Sequence, residues 1–121
     1  MRPSNPILMN ALPATSSQTS VLLPTQFVVM ASFQVISSNT GNAGTVQFQF
    51  SNDPDAVVNA NGAKPVNWSN LGSPITITAG ALNSIQFPQS SYAGYKFIQA
   101  VWTPSSGAGT ITINGFTIGY A

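Results

Sequence analysis

Apolar and polar residues alternate along most of this chain, and the alternation predicts β-strands from residue 26 onward. In the clearest example, Val46, Phe48 and Phe50 alternate with Gln47 and Gln49. A period of two places each set of side chains on its own face of a strand, so this segment predicts a strand with one buried face. Further strands are predicted over residues 27–36, 75–78, 82–87 and 95–103. The last of these has apolar residues on both faces, which is typical of a central strand.

Clusters of Gly, Pro, Asn and Ser separate these segments, and no stretch has a convincing helical period. Six to eight short strands with turn-bounded spacing predict an all-β domain, an antiparallel β-sandwich or jelly roll. We expect this domain over residues 25–121, with a long loop over residues 51–67.

The apolar positions change phase in the last predicted strand. Ile111 and Ile113 occupy odd positions, whereas Phe116 and Ile118 occupy even ones. A strict period of two cannot accommodate this change without one extra residue. We therefore expect a β-bulge or a tight turn at residues 114–115.

Residues 1–24 differ from the rest, because four prolines punctuate a stretch rich in Ser, Thr and Asn. Proline prevents a long helix and favours an extended path. The segment is either a flexible tail or an extended arm that lies on a partner subunit, and residues 21–23 could instead be a first strand of the domain. We favour the arm, because a solvated tail has no use for apolar side chains. Its candidate partner-binding residues are Ile7, Leu8, Met9, Val21, Leu22 and Leu23.

Charged residues make up only 4% of the chain: three Lys/Arg and two Asp/Glu, with no His and no Cys. Catalysis by general acids and bases needs groups that titrate near neutral pH, and metal sites are mostly built from His, Cys and carboxylates. The composition therefore argues against an enzyme, and we expect no cofactor. Three cations are too few for nucleic acid, and no apolar run approaches the ~20 residues of a membrane span, so we expect neither partner.

The same scarcity of charge favours association. A soluble domain usually carries about 25% charged residues, and a net charge of +1 gives little repulsion between molecules. Charge is also one means by which monomers protect the edges of their sheets. We therefore expect a homo-oligomer in which subunits pair through sheet edges.

Both acids, Asp53 and Asp55, lie in one loop with Asn52, Asn59 and Asn61. Calcium takes oxygen ligands of this kind, but two carboxylates are few, and Asp and Asn also suit ordinary turns, which is the interpretation we favour. The same pair is the only candidate for glycoside hydrolysis, which needs two acids flanking the bond and one raised pKa. Two residues this close in a surface loop are poorly placed for that, so we predict no catalytic residue and no metal site.

Four aromatic residues offer a candidate platform for a sugar: Trp68, Tyr92, Tyr95 and Trp102. Apolar sugar faces stack on such rings. The alternative is core packing or burial at an interface, which is the more frequent role of aromatic residues on strands.

Several segments occur in a characteristic order: GTVQFQFSND at residues 44–53, VNW at 66–68, YKFIQAVWT at 95–103 and GAGTIT at 107–112. This order resembles small β-sandwich structural proteins of tailed bacteriophage virions, over roughly residues 27–121. The resemblance implies a virion location, an oligomeric role and no catalytic residues.

Within that class, we expect a capsid decoration or cement protein. Its partners would be the major capsid protein or other virion proteins, and the resemblance favours a trimer. The alternatives are a glycan- or receptor-binding module of a tail, spike or head fibre, and a neck or tail component.

Overall fold

The computed structural model describes residues 2–25, 28–38, 41–78, 83–85, 95–107 and 109–119. In this part of the chain, strands predominate and one short helix interrupts them. The elements are β1 (Arg2–Ser4), β2 (Ile7–Pro13), β3 (Gln18–Thr19), β4 (Leu23–Pro24), β5 (Val28–Ser37), β6 (Ala43–Ser51), α1 (Asp55–Ala60), β7 (Ser69–Asn70), β8 (Ile75–Ile77), β9 (Asn83–Ile85), β10 (Phe97–Ser106) and β11 (Thr110–Gly119).

The strands form two antiparallel sheets, which confirms the predicted all-β sandwich. Sheet I has the order β1–β11–β5–β9, and β2 also pairs with β11. Sheet II has the order β3–β10–β6–β7, with β4 also paired with β10 and β8 with β6. The eleven strands of the described ranges exceed the predicted six to eight, because six of them have only two or three residues. Strands that short give no alternating pattern.

The core lies between two long strand pairs, β5–β11 and β6–β10. Their inward side chains meet across the gap, as in the contact between the rings of Phe33 and Phe48, whose centroids lie 4.9 Å apart. Trp102 is fully buried, and its indole N–H donates a hydrogen bond to the carbonyl oxygen of Ala14 at 3.1 Å. The prediction that β10 is a central strand is confirmed, since β10 has partners along both edges.

The predicted bulge or turn at residues 114–115 is wrong for the pairing of β11 with β5. Asn114 pairs with Gln34 and Gly115 with Phe33, without interruption. Odd positions of β11 stay buried on both sides of this point, and Phe116 is 41% exposed. The apolar residues therefore change face while the strand continues unchanged.

Residues 2–24, which the sequence predicts to be an arm, are part of the sandwich. β1 and β2 pair with β11 in sheet I, whereas β3 and β4 pair with β10 in sheet II. This N-terminal segment runs from sheet I to sheet II and pairs along one edge of each sheet. The expected division of the chain at residue 24 therefore does not separate two structural units. The alternative of a first strand over residues 21–23 is wrong, because β4 contains only Leu23 of these residues and three strands precede it.

The loop predicted over residues 51–67 contains α1, a helix of six residues. A helix this short covers fewer than two turns, so no helical period is visible in its sequence. Along the described ranges, no helix has the length and apolar character needed to cross a membrane.

Candidate functional site

The carboxylate of Asp53 holds the acidic loop together. Its Oδ2 atom accepts hydrogen bonds from the backbone N–H groups of Val66 and Asn67, at 2.7 and 2.9 Å. Its Oδ1 atom accepts a third from the side-chain amide of Asn67, at 2.9 Å. These donors, led by the backbone N–H of Asn67, lower the pKa of Asp53. A carboxylate that already accepts three N–H bonds serves to close a turn.

Asp55 is tied to Lys96, which directly precedes β10. The Lys96 ammonium lies 2.5 Å from Oδ1 of Asp55 and also donates to the carbonyl oxygen of Asp53 at 3.2 Å. The hydrogen bond from Lys96 and its charge lower the pKa of Asp55. Glycoside hydrolysis needs a general acid with a raised pKa, so both carboxyls are shifted in the direction opposite to that chemistry. In the described part of the chain, no cluster of three His, Cys, Asp or Glu side chains is placed to hold a metal ion.

The candidate glycan-binding aromatics do not share one surface. Trp102 lies in the core, so the interpretation of this residue as a surface ligand is corrected to core packing. Tyr95 is half-buried, with its ring 4.2 Å from that of Phe50 between centroids. Trp68 is partly exposed just before β7, and Tyr92 lies outside the described residues. A sugar platform that includes Trp102 is therefore excluded.

The apolar residues proposed for the arm divide into buried and exposed ones. Leu8 and Met9 are each 1% exposed, because both pack into the core of their own chain. They are therefore not available to a partner, which corrects that part of the prediction. Ile7 and Val21 are 52% and 61% exposed, so they remain candidates for contact with a partner. The half-buried members of the set are Leu22 and Leu23.

The outer face of sheet I carries a group of apolar side chains. The odd-numbered residues of β11 from Ile111 to Thr117 are buried, so the even-numbered ones face outward. Met30 pairs with Ile118, and Ile118 pairs with Pro3, which places these three in one row across β5, β11 and β1. Phe116 follows two residues along the same face. Met30 is 47% and Phe116 41% exposed, so this row is open to solvent.

Ile7 extends this group onto β2. It pairs with Asn114, two residues before Phe116, so Ile7 and Phe116 are diagonal neighbours on one face. We name the five residues Pro3, Ile7, Met30, Phe116 and Ile118 the apolar patch. Contiguous exposed apolar surfaces on soluble domains mark sites of interaction, so the patch is the candidate functional site.

The two long strands under the apolar patch are uncharged. Neither β5 nor β11 contains a charged residue in its ten positions, although Arg2 precedes Pro3 on β1. The other outward residues of β5 and β11 include Ser32, Gln34, Thr112 and Asn114, which are neutral. A partner can therefore cover these two strands without removing a charge from water, which would be costly.

The outer face of sheet II has a different chemistry. Gln99 donates a side-chain hydrogen bond to Gln49 at 2.8 Å, and Gln49 donates one to Asn70 at 3.3 Å. Thr103 and Thr45 pair on the same face. Neutral polar side chains that bond to one another across strands suit a face in contact with water. The two faces of the sandwich are therefore unequal, and only that of sheet I presents the apolar patch.

Within the described ranges, most strands at the edges of the two sheets are short. The flanking strands are β1, β2, β3, β4, β7, β8 and β9, and all but β2 have two or three residues. β2 ends in Pro13, and its register with β11 is irregular. Short strands, prolines and irregular pairing all hinder the addition of another strand. Edge pairing between subunits therefore has less support than contact through the face of sheet I.

Comparison of the chain with protein-family models, curated proteins and solved structures found no match. The function of this protein is therefore inferred from the chemistry of its residues and the geometry of its fold.

Proposed function

We propose that this protein is a non-enzymatic structural subunit of a bacteriophage virion, a decoration or cement protein of the capsid. The observation that carries the proposal is the apolar patch, since Met30 and Phe116 stay 47% and 41% exposed on two strands that contain no charged residue. Covering such a surface with another protein is favourable, because apolar area leaves water. The resemblance to small virion β-sandwiches supplies the biological setting.

The non-enzymatic part of the proposal is supported by the chemistry available to the chain. The sequence has no His and no Cys, and its two acids are Asp53 and Asp55. Both have a lowered pKa and both bind neighbouring donors that hold the loop. Groups used in this way stabilise a fold and are not poised for proton transfer near neutral pH.

The proposed mechanism is mechanical. The sandwich would lie across capsid subunits and add buried area between them, with the major capsid protein or another virion protein as its partner. On a repeating lattice, contacts that are individually weak combine into strong attachment. A surface with few charges suits this role, because little desolvation opposes each contact.

The copy number of the protein per purified virion tests the proposal. Mass spectrometry against an isotope-labelled standard of the same chain gives this number. We expect on the order of hundreds of copies, since multivalent attachment to a capsid lattice places a copy at each repeat. A few copies, or a few dozen, would overturn the capsid position in favour of the neck, tail or spike. Absence from the particles would overturn the virion assignment.

The receptor- or glycan-binding alternative has weaker support, since the burial of Trp102 removes one of its four candidate residues. A glycan array separates the two proposals. We expect no glycan to bind, whereas a specific, saturable hit would favour the alternative.

A further inference from the structure

We infer that the partner of the apolar patch is the same patch on a second copy of this chain, so that two sandwiches pack face to face through sheet I. This inference rests on the proposed assembly role and assigns the apolar patch to contact between copies of the chain, so that the capsid would bind the pair through other surfaces. It predicts a two-fold pair, not the trimer that the resemblance favours.

The outer face of sheet I is suited to contact with a copy of itself. A two-fold interface uses one surface of each subunit, and that surface must be able to meet itself. A charged face would place like charges opposite each other. The outward residues of β5 and β11 carry no charge, and the whole chain has a net charge of only +1, so these two strands can face their copies without repulsion between like charges. A strongly charged partner, in contrast, would lose hydration without gaining an ion pair on these strands.

The area of the outer face of sheet I also suits a weak dimer. β5 and β11 have ten residues each, and the sheet is four strands wide in the order β1–β11–β5–β9. β1 and β2 together cover ten residues along β11, whereas β9 has only three residues. With ~3.3 Å per residue and ~4.8 Å between strands, the face measures about 520 Å². Two copies would bury about 1,050 Å², just below the ~1,200–2,000 Å² typical of specific interfaces, so we expect a weak dimer that dissociates on dilution.

The position of Phe116 within the apolar patch further supports the pairing of two copies. It lies on β11, which has partners on both sides, and it is flanked by Ile118 along the strand and by Ile7 diagonally. Aromatic residues surrounded by other contacts carry a large share of interface energy. A two-fold axis close to Phe116 brings the two patches into contact, so this residue is the most sensitive position to test.

Sedimentation velocity over a range of protein concentrations tests the inference with a matched pair of variants. Phe116→Lys places a charge on the outer face of sheet I, and Thr103→Lys places the same charge on the outer face of sheet II. Both residues are exposed, and both lie on a central strand. We expect the wild type and Thr103→Lys to form dimers with similar affinity, whereas Phe116→Lys should dimerise at least tenfold more weakly.

Met30→Lys provides a second variant on the neighbouring strand β5, and it should weaken the dimer as well. Circular dichroism identifies which variants are folded. If Phe116→Lys does not fold, Met30→Lys serves as the test of the interface. The inference is overturned by a wild type that stays monomeric, by a trimer, or by folded sheet I variants that dimerise like the wild type. Equal weakening by Thr103→Lys would also overturn it, because the effect would not depend on the face.

The two proposals can fail separately. The virion assignment is tested by copy number in particles, and self-association is tested with the purified protein in solution. A protein that is abundant on capsids but monomeric in solution would overturn only the face-to-face pair.

Discussion

Replacing Leu8 with alanine tests whether the N-terminal segment belongs to the folded domain. Leu8 is 1% exposed and belongs to the core cluster, although it lies in the segment that the sequence predicts to be an arm. The preceding residue, Ile7, is 52% exposed, so Ile7→Ala is a control at an adjacent position. A projecting arm would tolerate both changes equally, whereas a segment packed into the sandwich would not.

The expected magnitudes follow from burial. Truncating a fully buried leucine removes its favourable transfer from water and leaves a cavity, which together cost about 2–5 kcal/mol. We expect about 3 kcal/mol for Leu8→Ala, a large part of the ~5–15 kcal/mol that stabilises a typical domain. Ile7→Ala removes a side chain that is half in water and leaves no enclosed cavity, so we expect a loss below about 1 kcal/mol.

Urea unfolding followed by tryptophan fluorescence measures both values, since Trp102 is fully buried in the native protein. With a slope of about 2 kcal/mol per molar urea, the midpoint for Leu8→Ala should fall by about 1.5 M at an unchanged slope. The measurement is made at low protein concentration, so that self-association does not contribute. A loss for Leu8→Ala no greater than that for Ile7→Ala would refute the reasoning and restore the projecting arm.

Two further predictions concern close packing and pH. Gly44→Ala should destabilise the fold by more than ~3 kcal/mol, because the new Cβ would overlap the backbone oxygen of Thr103. Gly72→Ala has open space around it and φ of +72°, so it should cost only about 1 kcal/mol; equal losses in urea unfolding would contradict this account. The folded-state pKa values of Asp53 and Asp55 lie below their ordinary value of 3.8, so the stability they contribute is present above that pH and is lost as the pH falls through the lowered values. The Tm should therefore drop on acidification below about pH 4, and less steeply in Asp53→Asn; identical pH profiles for the wild type and this variant would disprove the role of the carboxylate.

The long strands could be predicted from sequence because their pattern is local. β6 shows alternating residues over its whole length, and each inward residue meets the core of one domain. The position of β10 between two neighbours was also visible, since it has apolar residues on both faces. In such segments, the period of the side chains and the tertiary structure agree.

The last strand shows why an apolar pattern can mislead. A change of phase at Phe116 has two physical causes: an extra residue in the backbone, or apolar side chains on the outer face. Only the register of β11 against β5 distinguishes them, and that register is a property of the fold. Met30, Phe116 and Ile118 were not predicted as interface residues, because apolar residues on strands were expected to face inward. Their phase relative to Ile111 and Ile113 was the signal that marked them.

The N-terminal segment could not be placed from its own sequence, because its partners lie at the other end of the chain. Arg2 pairs with Gly119, and Thr19 pairs with Val101. Short pieces interrupted by proline show little periodicity, and their stability comes from strands that are already formed. The apolar residues of this segment are visible in its sequence, but Leu8 and Met9 pack into the core of their own chain and not onto a partner.

The pairing of Arg2 with Gly119 also determines when the molecule can fold. During synthesis, β1 to β4 leave the ribosome before β10 and β11 have been made. These four strands therefore remain unpaired until their partners follow. Contacts between such distant positions make folding slow, and the delay leaves apolar segments such as the one around Leu8 exposed to other nascent chains. Completion of this sandwich therefore depends on β10 and β11, and its last step joins the N-terminal strands to the two strands that follow all the others along the chain.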